Sequence, residues 1–350
     1  YIDQMKYRTY ESDPLPISIP RSEYLYGTND VVHIVDRRNS RVPLKLVIDL
    51  ISKREAVIAA ENGKRYSIFT SRKLTIPVNK RAAIENGIVS EADSSVILDT
   101  IQLNISENKD LLTKTELIIL DILANYQWDR PIYFVAMGGD LEIGIRDYLE
   151  WTGFAYKFVP IKSQTTMVVP GRVPADKMYD KVMNVYRWGN MNDPSVNIDY
   201  QNLLTFNAVM SVRNIHAQTA RALFNEGKRD RAVEVLDRMQ EVFIHDQFPV
   251  TCSIFSSLNE QAVIDAIDIY LLSKEREKAL KLASLFEEES FKAIGFFGQK
   301  LGGYYLSKTD IERNLSYLMY LSEVLRSRGE GELADSIEKR VQDSISKIQI

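Results

Sequence analysis

The chain has 350 residues, of which 45% are hydrophobic and 26% are charged, so a collagen-like or low-complexity chain is excluded. Its length suggests about two or three domains. Its 44 Lys and Arg against 48 Asp and Glu give a net charge of −4 without a dense basic stripe, which argues against nucleic acid as a partner. The single cysteine, Cys252, excludes an internal disulfide and any multi-cysteine metal site.

The start of the chain has neither an initiator Met nor a charged-then-apolar leader: it reads Tyr1-Ile2-Asp3-Gln4-Met5. No run of about 18 uncharged apolar residues occurs, which is the length that a membrane-spanning helix needs. We expect from the polar start that the chain is a piece of a longer protein and that part of the function resides outside it.

Residues 1–168 mix short β-rich runs with helical runs, which predicts an α/β domain. Runs rich in β-branched residues predict strands at 31–35, 74–78 and 96–105. Apolar residues that share one face predict a helix over 43–53. The capping box Thr113-Lys114-Thr115-Glu116 predicts a further helix that runs to about Asn125.

Residues 131–161 predict a strand–helix–strand unit. The pattern indicates a buried strand at 131–136, a glycine turn, a helix at 141–151 that ends at Gly153, and a strand at 154–161. Because parallel strands are joined by right-handed crossovers, this order predicts a mixed, partly parallel sheet.

Strand signals fade in the middle of the chain. Pro160, Pro170 and Pro174, with Gly171 between the last two, indicate a domain boundary near 165–175. Beyond it a period of 3.6 residues dominates, which predicts an all-α domain over 169–350.

The second domain contains an internal repeat of helical hairpins. In each copy apolar residues end one helix, a tight turn follows, and a small residue lies where two helices cross. The pattern recurs 47 and 102 residues further along, so the turn and the small residue lie at Gly227 and Ala232, Lys274 and Ala279, and Gly329 and Ala334. It resembles tetratricopeptide repeats, although these have a spacing of about 34 residues. It predicts three imperfect hairpins at about 203–243, 258–289 and 310–347.

Metal and nucleophile chemistry have little support in the sequence. His33, His216 and His245 are far apart, and none has a partner at the spacing of metal ligands, so we predict no metal and no cofactor. Cys252 lies seven residues from His245, but a structural role for this thiol is favoured over a catalytic one.

A glycine turn offers one candidate ligand site. Gly138, Gly139 and Asp140 stand between a predicted strand and a predicted helix, where backbone N–H groups can hold an anion. Asp140 would repel phosphate, so a turn in which Asp140 caps the helix is the favoured interpretation. Two carboxylate pairs, Asp140 with Glu142 and Asp99 with Asp121, are weaker candidates for acid and base.

An aromatic and basic cluster is the second candidate. Trp128, Arg130 and Tyr133 together suit stacking on a sugar ring or a cation–π contact. A structural interpretation is favoured over the ligand, in which Trp128 covers the sheet edge and Arg130 pairs with Asp129.

A series of motifs gives a family resemblance. They are Tyr1 to Met5, Tyr10 to Pro16, Pro77 to Lys80, Leu120 to Asn125, Trp128 to Phe134, Tyr148 to Pro160, Met178 to Asp180 and Arg187 to Asn190. Over about residues 1–240 the chain resembles the soluble C-terminal region of a bacterial family of multi-spanning membrane proteins of unknown function. That family is grouped with GT-C glycosyltransferases and likened to protein O-mannosyltransferases.

The resemblance implies where the chemistry takes place. In GT-C enzymes the catalytic acid and the lipid-linked donor site lie in the membrane half, so the resemblance assigns no catalytic residue to this chain. It places the chain on the periplasmic face of the inner membrane, as part of a larger membrane protein.

Three hypotheses follow. The first is a non-catalytic extracytoplasmic domain of a membrane glycosyltransferase-like protein, which binds an acceptor or partner protein through its helical repeats and reaches the membrane through a missing N-terminal part. The second is a stand-alone enzyme that acts on a sugar or nucleotide near Gly138 to Asp140. The third makes the hairpins an oligomerisation surface.

Overall fold

The structure is a computed structural model, and it describes residues 15–27, 30–36, 40–61, 63–135, 142–163, 169–196, 207–243, 248–251, 258–300 and 305–348. The chain divides into two compact units, Tyr1–Arg172 and Val173–Ile350. The first unit contains mixed sheets and helices, and the second is a series of helices, so the predicted fold class is confirmed.

The first unit alternates short strands with short helices. Its helices are α1 Arg21–Tyr26, α2 Leu44–Ser52, α3 Lys80–Glu85 and α4 Lys114–Ala124. Its strands are β1 Val31–Ile34, β2 Val42–Pro43, β3 Val57–Ala59, β4 Arg65–Phe69, β5 Lys73–Pro77, β6 Thr100–Asn104, β7 Leu111–Thr113, β8 Tyr133–Phe134, β9 Leu149–Trp151 and β10 Tyr156–Phe158. Single 3-10 turns cover Glu91–Val96 and Arg146–Tyr148.

These strands form three small sheets. The strand orders are β3-β4-β1-β7, β2-β5-β6 and β8-β10-β9. β1 pairs in parallel with β4, and β2 pairs in parallel with β5, whereas the other described pairs are antiparallel. The mixed, partly parallel character that the sequence predicts is therefore present, distributed over several sheets.

Helices α2 and α4 supply much of the core of the first unit. Val47 and Ile51 of α2 and Leu117 and Leu120 of α4 are buried in one apolar cluster. The predicted capping box opens α4: the Thr113 Oγ1 accepts from the Glu116 N–H at 3.3 Å, and the Thr113 N–H donates to Glu116 Oε2 at 2.8 Å. This reciprocal pair satisfies N–H groups that a helix start leaves without partners.

The predicted strand–helix–strand unit over 131–161 has strands in both predicted segments, at Tyr133–Phe134 and Tyr156–Phe158, but its helix is wrong. Within 142–151 the chain forms a 3-10 turn and then β9, instead of a helix. Gly144 has a φ of +83°, and a Cβ at this position would lie 2.6 Å from the backbone of Asn104, so the chain bends there against β6.

The strands of this region also differ from the prediction. β8, β10 and β9 are antiparallel, and Gly153 with a φ of +88° lies between β9 and β10, where no helix ends. β8 is an edge strand with Tyr133 51% exposed, whereas the sequence predicted a buried strand.

The second unit is built from helices. They are α5 Ala175–Asp180, α6 Asn207–Asn225, α7 Arg229–Val242, α8 Leu258–Leu272, α9 Arg276–Lys300, α10 Tyr305–Ser327 and α11 Gly331–Ile348, with a π turn at Lys181–Val185. Across the described parts of the chain, no helix combines the length and the apolar character that crossing a membrane requires.

The three hairpins share one turn geometry. Gly227, Lys274 and Gly329 all have positive φ angles, of 80°, 68° and 91°. The next residue in each case donates its N–H to the carbonyl five residues before it, at 2.9 Å. Ala232, Ala279 and Ala334 are completely buried, as close helix crossing requires. The repeat is thus a structural one, and its likeness to tetratricopeptide repeats stays a prediction.

Candidate functional site

Trp128, the first residue of the aromatic cluster, is buried in the first unit. Its indole N–H donates to the Pro77 carbonyl at 3.0 Å, and Asn86 Nδ2 donates to the Trp128 carbonyl at 3.1 Å. The indole stacks on Phe158 with a centroid distance of 6.0 Å, and the Tyr126 ring lies 4.5 Å away. These contacts tie the segment after α4 to β5 and to the core.

Arg130 and Tyr133 lie closer to solvent than Trp128. Arg130 pairs with Asp129 at 3.0 Å, as the structural interpretation predicts. Tyr133 stands on edge strand β8, and partial burial together with the charge of Glu150 raises the pKa of its phenol. The structure thus places Trp128 inside the core and Tyr133 at the surface, and a ligand role for the cluster stays a prediction.

The predicted anion site is the glycine turn that precedes residue 142. Gly138, Gly139 and Asp140 lie outside the described residues, as do Cys252 and His245. The helix whose N-terminus would hold an anion beside this turn is not formed, because residues 142–151 fold into a 3-10 turn and a strand. The anion site at Gly138 to Asp140 stays a prediction.

A groove of about 630 Å³ borders Trp128, and we call it the α4 groove. Its walls are the start of α2 with Pro43, Leu44 and Lys45, the segment Thr75 to Lys80, and the segment Leu123 to Trp128. Leu44 and Ile76 are buried, while the side chains of Lys45 and Lys80 are partly exposed. An apolar floor with a basic rim can receive a small ligand or a side chain.

The segment before α1 is held on α4 by Asp121. Its carboxylate accepts from the N–H groups of Ser18 and Ile19 at 2.7 and 3.0 Å, and from the Tyr24 hydroxyl at 2.9 Å. Burial raises the pKa of Asp121, against the opposing effect of these hydrogen bonds and of the Lys45 charge. Asp121 is therefore a structural anchor.

Asp99 and Asp121, the weaker candidate for an acid–base pair, lie in different surroundings. The Asp99 side chain is 93% exposed and pairs with Lys80 at 3.0 Å, whereas Asp121 is completely buried. Each carboxylate is held by its own partners, and an acid–base role for the two together stays a prediction.

A second groove, the helical groove, lies in the second unit between α7 and α9 and has a volume of about 770 Å³. Its lining combines acids, bases and apolar side chains: Asp237, Gln240, Glu241, Tyr270, Lys278, Lys281, Leu282, Ser284, Leu285 and Glu288. The Tyr270 hydroxyl donates to Asp237 at 3.0 Å, and Lys278 pairs with the same carboxylate at 2.8 Å. Charges of both signs around an apolar strip suit a peptide segment.

His216 is a completely buried histidine in the described part of the second unit. Its Nδ1 lies 2.7 Å from the Val212 carbonyl, which favours the Nδ1–H form, and its ring lies 4.7 Å from Trp188. Burial lowers its pKa to about 4, so the imidazole is neutral near pH 7. Among the described residues, no group of three His, Cys, Asp or Glu side chains could hold a metal ion.

Sequence reasoning missed both grooves. Trp128, a predicted site residue, lines the α4 groove, but the walls come from three segments that are distant along the chain, so the sequence did not predict the groove itself. The helical groove could have been anticipated from the repeat, because successive hairpins bring equivalent helices side by side.

One comparison with known proteins gives a match. The family model described as TMEM260-associated domain 2 matches residues 1–177, which cover the first unit and end within α5. No curated protein and no solved structure matches the chain. The family description associates the matched region with a membrane protein.

Proposed function

The chain belongs to the TMEM260-associated domain 2 family, and we propose that it is a non-catalytic extracytoplasmic domain of a membrane glycosyltransferase-like protein. In this role it binds or positions an acceptor or a partner protein, while bond formation takes place in the membrane part. The match over residues 1–177 is the observation that carries this proposal, because it connects the chain with a membrane protein.

The surroundings of the buried carboxylates support a non-catalytic role. In the described part of the first unit, Glu116, Asp121 and Glu150 are buried carboxylates. Glu116 caps α4 and pairs with Lys109 at 2.9 Å, and Glu150 pairs with Arg172 and Lys157. Each carboxylate is thus committed to stabilising the fold, and such pairs are costly to break.

The motif series supports the glycosyltransferase part of the proposal. The motifs at Pro77 to Lys80, Trp128 to Phe134 and Tyr148 to Pro160 resemble the C-terminal region of GT-C-like membrane proteins. On this likeness the domain stands on the periplasmic face of the inner membrane.

The helical groove supports the binding part. Lys281 is exposed on its rim, Leu285 is half-buried, and Asp237 and Glu288 add negative charge. An acceptor segment with an apolar residue between charged ones would find complementary partners along this groove.

A binding experiment tests the proposal. The 350-residue chain is first applied to peptide and glycan arrays. The affinity of the best ligands is then measured by calorimetry for the parent chain and for Lys281→Glu. Reversal of a rim charge is expected to weaken binding about tenfold.

The matched control is Lys339→Glu, which reverses an exposed charge on α11 outside the groove. This variant is expected to bind like the parent chain. Absence of any ligand, or equal loss in both variants, would overturn the binding role.

A further inference from the structure

The α4 groove lies where two parallel strands end. β2 and β5 pair in parallel, with Val42 opposite Leu74. The residue that follows each strand, Leu44 after β2 and Val78 after β5, lines the groove. Ligand sites of α/β proteins are commonly found outside the carboxyl ends of parallel strands. The position of the groove therefore makes it a candidate binding site of the first unit.

The groove has a positive lining. The described residues that line it include two lysines, Lys45 and Lys80, and no aspartate or glutamate. The buried Asp121 is not part of this lining, and its carboxylate oxygens accept the hydrogen bonds of the segment before α1. Two ammonium groups in a concave site without acidic lining attract an anionic ligand.

The ion pairs of both lysines can be exchanged for a ligand. Lys80 pairs with Asp99 at 3.0 Å, and the Asp99 side chain is 93% exposed. Lys45 pairs with Asp49 one turn along α2, and both of these side chains are at least one-third exposed. Ion pairs between exposed side chains contribute little to stability. An anion in the groove can therefore take over both ammonium groups at small cost.

Uncharged polar side chains lie on the same rim. Asn79 and Gln127 are exposed and line the groove. A side-chain amide both donates and accepts hydrogen bonds, so it matches the hydroxyl groups of a sugar. The aromatic residues of the lining, Tyr126 and Trp128, are buried, which leaves little ring surface for a nucleobase to stack on. Ammonium and amide groups together point to a ligand that carries both a phosphate and hydroxyls.

One wall of the groove is held in place before a ligand binds. Trp128 has a φ of +60°, a left-handed conformation that large side chains rarely adopt. Its hydrogen bonds with Pro77 and Asn86 hold the residue in this conformation. Strained residues that their surroundings fix in this way cluster at binding sites. A wall that is already ordered also lowers the entropy cost of binding.

We propose that the α4 groove binds a sugar phosphate, with the phosphate at Lys45 and Lys80 and the sugar hydroxyls at Asn79 and Gln127. The volume of about 630 Å³ is that of a site for a small ligand. The inference goes beyond the proposed function, because it assigns a ligand to the first unit, whereas the helical groove lies in the second. A sugar phosphate is either a free molecule or a lipid headgroup, and the experiment separates these two sources.

Isothermal titration calorimetry of the full 350-residue chain tests the proposal. Glucose 1-phosphate is titrated at low salt, and inorganic phosphate and glucose are titrated as its two parts. Glucose 1-phosphate is expected to bind about tenfold more tightly than either part, because it uses both the ammonium and the amide groups. Its affinity should fall as the salt concentration rises.

Four variants assign the binding to the groove. Lys45→Gln and, separately, Lys80→Gln are expected to weaken binding of glucose 1-phosphate and of inorganic phosphate about tenfold. Gln127→Ala is expected to weaken binding of glucose 1-phosphate about threefold and to leave that of inorganic phosphate unchanged. The matched control is Lys53→Gln, which removes an exposed lysine at the other end of α2, outside the groove, and should bind like the parent chain.

Vesicle flotation distinguishes the two sources of the ligand. The chain is mixed with vesicles that contain phosphatidylinositol, a phosphodiester with a hydroxyl-rich ring, with and without glucose 1-phosphate. Flotation that glucose 1-phosphate abolishes would support a lipid headgroup. Binding of glucose 1-phosphate without flotation would support a free sugar phosphate.

The proposal is overturned if glucose 1-phosphate does not bind, or if Lys53→Gln weakens its binding as much as Lys45→Gln does. Binding of adenosine monophosphate as tight as that of glucose 1-phosphate would also overturn it, because the amide groups would then not select a sugar. The acceptor experiment uses other ligands and the variant Lys281→Glu. Failure of sugar phosphate binding would therefore leave the proposed function standing.

Discussion

His216 couples the stability of the second unit to pH. Its pKa falls from 6.5 to about 4 in the folded state, so between these values the unfolded chain binds a proton that the folded chain does not. The free energy of unfolding should therefore decrease as the pH falls from 6.5 to about 4, by on the order of 3 kcal/mol.

Urea unfolding at several pH values checks this coupling. The variant His216→Gln lacks the titrating group. Between pH 6.5 and about 4 its free energy of unfolding should therefore fall less than that of the parent chain, and the difference should be on the order of 3 kcal/mol. An equal decrease in the parent chain and in the variant would contradict the assignment.

Asp121 anchors the segment before α1 through its carboxylate oxygens. Asp121→Asn replaces one acceptor oxygen with a donor, which then faces either the Ser18 N–H or the Ile19 N–H and the Tyr24 hydroxyl. We expect a loss of about 3 kcal/mol in the free energy of unfolding.

Asp99→Asn is the matched control, because Asp99 has the same chemistry at an exposed position. Its effect should stay within about 0.5 kcal/mol in the same denaturant titration. Equal effects of the two substitutions would show that Asp121 is not an anchor.

The role of a residue could be predicted from the sequence where it depends on near neighbours in the chain, and could not where it depends on distant ones. The capping box is formed by Thr113 and Glu116, which are three residues apart, so a four-residue motif was sufficient to predict it. Two of the partners of Asp121, Ser18 and Tyr24, lie about a hundred residues away, and no local pattern marks such a contact.

Among the secondary structure elements, the turns of the hairpins depend on backbone conformation. Gly227 and Gly329 adopt positive φ without cost, but the equivalent turn places Lys274 at a φ of 68°. A side chain with a Cβ is strained in this left-handed region by about 1 kcal/mol.

Lys274→Gly should therefore stabilise the chain by about 1 kcal/mol, as measured by chemical denaturation. The reverse change, Gly227→Lys, should destabilise the chain by a similar amount, because it introduces the same strain into an equivalent turn. A destabilising effect of Lys274→Gly would argue against the shared geometry of the hairpins.

Elements with a strong period were predicted well, and elements set by distant contacts were not. α2 and α4 have clear apolar faces and were found close to their predicted bounds. Residues 141–151 contain a helical pattern too, but Gly144 bends against β6 and the 149–151 segment pairs with β10. Tertiary contacts thus override the local preference there.

The whole molecule combines an α/β unit with a helical unit. The change of period from mixed runs to 3.6 residues predicted this order, and the structure divides the chain after Arg172. The family match over residues 1–177 connects the chain with a membrane protein, although no described helix could span a membrane. The sequence did not predict the two grooves, because each is lined by side chains of several elements.

The proposed role of the domain is to position an acceptor while the chemistry takes place in the membrane part. Steady-state kinetics of the complete membrane protein, with a lipid-linked sugar donor and a range of acceptor concentrations, test it most directly. We predict that Lys281→Glu raises the KM for the acceptor about tenfold and leaves kcat unchanged, because only binding of the acceptor is weakened. A fall in kcat at unchanged KM, or sugar transfer by the 350-residue chain alone, would contradict the account.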